Sequence, residues 1–183
     1  DRMKIIISPA KKMNIREDEL EWANLPCFLS RAEELKRYIQ GLDLDQARKL
    51  WQCNEKIALL NYGRFKEMDL ERRLTPALLS YEGIQYQYMA PGVFEQGQWD
   101  YVQEHLRILS GFYGILKPLD GIVPYRLEMQ AKVELPSGIK SLYDYWGSSI
   151  CRELAADETL IVNLASKEYS RAVEPYLEAI LIM

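Results

Sequence analysis

HLRILSGFYGILKPLDGIVPYRLEM, residues 105–129, carries the strongest structural signals in the chain. Leading into it, Trp99, Val102, Leu106 and Leu109 recur at a 3-4-3 spacing that gives a helix one buried face, so the pattern predicts a helix over residues 99–109. Ser110-Gly111 and then Gly114 end that helix, because two glycines within four positions let the chain reverse tightly and turn backbone N–H groups outward. Pro118, Gly121 and Pro124 break any long helix beyond. A helix, a glycine turn and a short second element resemble a helix-hairpin-helix, in which turn amides grip a DNA phosphate. A helix stop followed by a turn, with Pro118 as punctuation, is the plainer reading of the same short pattern.

Working outward, 183 residues suit one domain with a real core, expected over residues 3–183 because Asp1-Arg2 precede a methionine. No apolar run reaches the roughly 20 residues that cross a bilayer, and no h-region with a small-residue cleavage site is present, which predicts a cytoplasmic protein with no membrane partner. Cys27, Cys53 and Cys151 are widely spaced and His105 is the single histidine, so the composition points to no metal, no cofactor and buried free thiols. Composition leaves the oligomeric state open. A formal charge of −4 argues against indiscriminate nucleic-acid binding. Yet basic blocks at 1–16, 35–73 and 105–140 alternate with acidic ones, and can form a positive cleft if they meet, or remain solvated helix faces.

Lys4 to Ile7 reads as a buried strand closed by Ser8-Pro9, with a loop to Met13 and an irregular acidic stretch to Pro26. Ser30 with Glu33 predicts a capping box for a helix over 31–39 that stops at Gly41. Asp43 or Asp45 caps a helix to about Trp51, and Asn54 caps another ending at Phe65. Thr75-Pro76 opens a short helix to Leu79, the Tyr/Ile alternation over 81–88 predicts a strand interrupted at Gly83, and 125–133 reads as another strand. Residues 141–154 read as helix, 159–164 as strand, and Ser166 opens a last helix with Glu168 in its first turn. The run 178–183 closes the sequence on apolar residues and is expected to be buried. Interleaved strands and helices predict a mixed α/β, or α+β, domain around a modest mixed sheet with surrounding helices.

Four separate motifs resemble those of the YaaA family, bacterial proteins associated with resistance to peroxide stress: ISPAK at 7–11, RILSGFYGILKPLDGIVPYRLEM at 107–129, LYDYWG at 142–147 and VNLASKEY at 162–169. The resemblance implies a mixed α/β fold with a positive cleft, a helix-hairpin-helix, binding of duplex DNA with weak sequence preference, and a role in limiting iron-dependent oxidative damage. Two departures stand out. Lys12 replaces the hydroxyl residue that usually follows ISPAK, and family members usually run on through a basic segment past NLASxEY, so the chain is expected to be shortened at its C-terminus.

For DNA, the candidate residues are Ser110, Gly111 and Gly114 of the turn with Lys117 and Arg107 beside it, since turn amides bind phosphate without reading bases. A second constellation is Ser8, Lys11, Lys12, Arg126, Asn163 and Ser166. Ser8 to Lys12 follow a buried strand, where open α/β sheets place binding loops, and Asn163 and Ser166 end another. Arg126 is either a phosphate fork or a partner of Glu128 two positions on. Ser8 and Lys11 can act as nucleophile and base, which keeps open an enzyme with an anionic small-molecule site. Ser166 as a satisfied cap, and Tyr143, Tyr145 and Trp146 as core rather than a base-stacking platform, are the plainer readings.

Overall fold

The computed structural model describes residues 3–156, 160–177 and 180–182. The chain opens with β1 (Met3–Ile7), whose Ile6 and Ile7 are fully buried, and β2 (Lys12–Met13) follows the Ser8 loop. Three helices come next, α1 (Leu29–Gln40), α2 (Leu44–Trp51) and α3 (Glu55–Lys66). Local capping explains two of them: Asp43 accepts from the Gln46 amide while Gln46 answers the Asp43 amide, and Asn54 accepts from the Ile57 amide. Ser30 instead lies inside α1, whose N-cap is Phe28 with no side-chain cap. Packing starts that helix: the Phe28 ring sits 5.6 Å from Trp146.

β3 (Thr75–Pro76), α4 (Ala77–Ser80) and β4 (Tyr81–Glu82) follow, and α5 (Ile84–Met89) occupies most of the segment predicted as strand. Only Tyr86 of its alternating side chains reaches the core, while Ile84 and Tyr88 are exposed, so the alternation records no half-buried strand. Then come α6 (Gln96–His105), β5 (Leu106–Ser110), β6 (Gly114–Leu116) and β7 (Gly121–Ile122). α7 (Leu142–Trp146) and α8 (Ser149–Leu154) split the predicted 141–154 helix at Gly147, whose φ is +50°. β8 (Leu160–Asn163), α9 (Lys167–Ser170) and β9 (Ile180–Ile182) complete the order. Thr159, Glu178, Ala179 and Met183 of the predicted segments lie outside the described residues.

The main sheet has the order β6-β5-β1-β8-β9, with β1 parallel to both β5 and β8, β8 parallel to β9, and β6 antiparallel to β5. This is the expected mixed α+β architecture. Parallel strands read as continuous apolar runs because helices and loops cover both faces. β1 is central, and the chain passes first to one side of it and later to the other, so the loops leaving β1 and β8 diverge at one edge.

The stretch at 105–129 corrects the opening expectation. The helix ends at His105, and Leu106 begins a strand paired with β1. Trp99 and Val102 belong to the helix face, but Leu106, Ile108 and Leu109 are all buried in the sheet. The glycine turn therefore joins two strands, with Leu109 opposite Ile115 and Ser110 opposite Gly114. It is a β-hairpin, not the hinge of a helix-hairpin-helix. Residues 125–133 are irregular rather than a strand.

Candidate functional site

The edge where the chain diverges around β1 holds a crevice of about 290 Å³ lined by Ser8, Lys11, Arg126, Glu128, Ser166 and Glu168, with Tyr125 and Tyr169 at its back. The Leu164 amide donates to the Ile6 carbonyl at 3.0 Å and brings the 163–166 turn against the Ser8 loop. There Ser8 Oγ accepts from the Ser166 amide at 2.8 Å and lies 3.2 Å from Ser166 Oγ. Ser166 begins α9, but its hydroxyl faces Ser8 and makes no side-chain cap. Asn163 is buried and serves the turn, its Oδ1 accepting from the Ala165 amide at 2.9 Å.

Arg126 is the most constrained cation of the crevice. Its side chain is 11% exposed, Nη2 donates to the Trp51 carbonyl at 3.3 Å and stands 3.8 Å from Glu128, and Nε is buried without a partner among the described residues. Lys11 is open to solvent and reaches Glu128 at 3.4 Å. Lys12 points elsewhere and meets Glu82 at 3.5 Å. Burial pushes the Glu168 carboxyl above the ordinary range, opposed by the bond it accepts from the Gln130 amide and reinforced by Glu128. Burial likewise raises Tyr125 to about 12. Sequence reasoning missed Glu168 and Tyr169 as crevice residues; the available signal was their place directly after Ser166 and Lys167.

The turn residues are differently placed. Ser110 is fully buried, and its Oγ accepts from the amides of Phe112 at 3.2 Å and Tyr113 at 3.0 Å. Ser110 Oγ and Tyr125 Oη share a further hydrogen bond of 2.7 Å. Gly111 accepts from Trp146 Nε1 at 3.0 Å, and Gly114 takes a φ of +79° against that same ring. Arg107 folds back on the Gln103 and Leu106 carbonyls, both at 2.7 Å. Lys117 alone of this group is exposed. His105, also buried, ties α6 to β1 through a 2.8 Å bond between Nδ1 and the Met3 carbonyl. Tyr145 and Trp146 are core side chains beneath Arg31, whose guanidinium lies 4.4 and 4.7 Å from their rings.

The sequence signature described as peroxide stress protein YaaA matches residues 3–182. The chain belongs to this family. It is similar to a UPF0246 protein of Desulfitobacterium hafniense, 57% identical over 177 residues that make up 97% of this chain and 70% of that relative. A UPF0246 protein of Agathobacter rectalis is 53% identical over 175 residues, 96% of this chain and 70% of its own length. One of Pediococcus pentosaceus is 48% identical over 176 residues, with 96% and 70% covered.

In this peroxide stress protein, two consecutive helices joined by a three-residue hairpin occur at α2 and α3, where the sequence predicted two capped helices in succession. Gln52 turns the corner at a φ of 49°, Arg48 Nε donates to the Cys53 carbonyl at 3.2 Å, and Lys49 and Lys56 are exposed on either side. A shallow groove of about 220 Å³ lined by Leu50, Gln52, Gln130 and Lys132 runs from this hairpin to Glu128, which also lines the crevice. Among the described residues no helix is long and apolar enough to cross a membrane. No group of three or more His, Cys, Asp or Glu side chains among them is gathered as a metal site.

Proposed function

We propose that this protein serves the peroxide stress response by holding duplex DNA through its backbone phosphates, shielding the duplex from iron-dependent oxidative damage. The crevice beside Ser8, Arg126 and Ser166 is the anion pocket, and the α2–α3 hairpin is its approach. One observation carries this reading: Arg126 holds a buried Nε–H with no acceptor among the described residues, at the edge where the strand order diverges. A buried guanidinium donor left unsatisfied is costly, and a phosphate oxygen satisfies it with a charge-assisted bond. Lys11 at the mouth, Lys132 in the connecting groove, and Lys49 and Lys56 exposed on the two helices of the hairpin supply local positive charge on a chain whose formal net charge is −4. Phosphate contacts of this kind position a duplex without reading its sequence.

Fluorescence anisotropy of a labelled duplex across a salt series tests the reading. Arg126→Gln and the pair Lys49→Glu with Lys56→Glu are expected to weaken binding on all sequences alike and to lower the salt slope by about 1 for each contact removed. Unchanged affinity in both variants overturns it. A second reading, an enzyme acting on a small anionic molecule, is favoured by the crevice's volume of about 290 Å³ and by the raised Glu168 carboxyl inside it. Its binding would respond much less to salt.

A further inference from the structure

A larger basin of about 700 Å³, separate from the crevice, lies between the end of α3, the 67–73 loop, and the segments at Asn14 and Pro124. Three polar features in it are unbalanced. Arg64 is half-buried and donates to Asn61 Oδ1 at 3.2 Å and the Met13 carbonyl at 3.3 Å, yet it has no carboxylate partner among the described residues. Burial lowers its affinity for a proton, and no neighbouring acid offsets this. Arg72 is exposed, with no ion pair or side-chain hydrogen bond among the described residues. Asn14 donates from Nδ2 to Glu82 at 2.6 Å, but its Oδ1 is buried and accepts from no donor among the described residues. Arg73 is already neutralised by Glu17 at 2.7 Å.

The remaining lining completes a recognisable set. Met68, Val123 and Pro124 form an apolar wall, and Glu67 and Asp69 add carboxylates. Ligand sites of roughly 300–1,000 Å³ combine an apolar wall with a few placed polar groups. Two guanidiniums match a phosphate, carboxylates accept from a ribose diol, and an orphan amide oxygen accepts from an exocyclic amine.

We infer that this basin binds a ribonucleoside monophosphate, its phosphate on Arg64 and Arg72, its ribose hydroxyls on Glu67 or Asp69, and its base amine on Asn14 Oδ1. This site stands independently of the DNA reading, which rests on the crevice.

Calorimetric titration of the full chain with adenosine 5′-monophosphate, its 2′-deoxy analogue, adenosine and inorganic phosphate tests the assignment. The monophosphate is expected to bind about tenfold more tightly than any of the other three, a margin in the range of one charge-assisted bond. Arg64→Gln should cost about tenfold or more, and Arg72→Gln, at an exposed position that cannot unfold the chain, should lower affinity in the same direction. Arg126→Gln should leave it unchanged, which separates this site from the crevice. Absence of binding at millimolar ligand, full affinity in both basin variants, loss in Arg126→Gln, or equal affinity for the deoxy analogue would each overturn the assignment.

Discussion

Two neighbouring parallel strands, β1 and β5, each lead into a turn through a serine, Ser8 just after Ile7 and Ser110 as the last residue of β5, and the two turns have opposite fates. After β5, Ser110 is fully buried and satisfies the Phe112 and Tyr113 amides. After β1, Ser8 opens a loop that meets Ser166 at the surface and leaves room for a ligand. In sequence the glycine turn looked the better phosphate grip. In the fold its donors are consumed internally, and the less marked Ser8 loop lies where the diverging strands open. A turn's chemistry matters for binding only when its neighbours leave its donors unused.

The strongest way to break the contrast is at Gly111. A Cβ there would stand 2.6 Å from the Leu127 carbonyl oxygen and 3.0 Å from backbone atoms of Glu128 and Met129. Gly111→Val should cost about 3 kcal/mol or more, read from the urea midpoint, since backbone cannot step aside as a flexible side chain can. An unchanged midpoint would mean that the turn is open after all. Ser110→Ala is next. It strands two buried amides and leaves the Tyr125 hydroxyl with Tyr81 as its remaining partner, and should cost about 2 kcal/mol, whereas Ser166→Ala in the crevice should stay within about 0.5 kcal/mol. Equal losses would erase the distinction.

Acid gives a subtler test of the buried side. Asp120, which accepts from the Lys117 amide beyond the hairpin, has its carboxyl raised by burial from 3.8 to about 6. The folded state therefore holds this proton more tightly, so its contribution to stability is full below about pH 4 and is lost as pH rises through 6. Asp120→Asn should remove that component from a stability-against-pH series, and an unaltered profile would place the carboxylate in solvent. The smallest effect belongs to Lys11→Ala, which is solvent-open: stability should move by less than about 0.5 kcal/mol in thermal melts, while duplex affinity falls.

Much of the framework was legible because it rests on local chemistry. Asp43 with Gln46 and Asn54 with Ile57 cap α2 and α3 where the residues predict. The isoleucine run of β1 and the apolar run of β8 form strands as expected. The failures fall where tertiary burial competes with local pattern. Leu106 and Leu109 continue a helical period from Trp99, but partners on β1 for the first and on β6 for the second draw them into a sheet. Ser30 offers a cap that goes unused because Phe28 packs on Trp146. Glu168 looked like a dipole partner, and only the Ser8 and Arg126 loops turn it into a crevice wall.

By itself, then, the sequence determined the family, the mixed architecture and most helix starts, because motifs, caps and apolar runs act over a few residues. Only the tertiary structure decided which strand end is sealed and which is open, because the groups that fill or free each turn, Trp146 and Tyr125 for one and Ser166 for the other, come from distant parts of the chain.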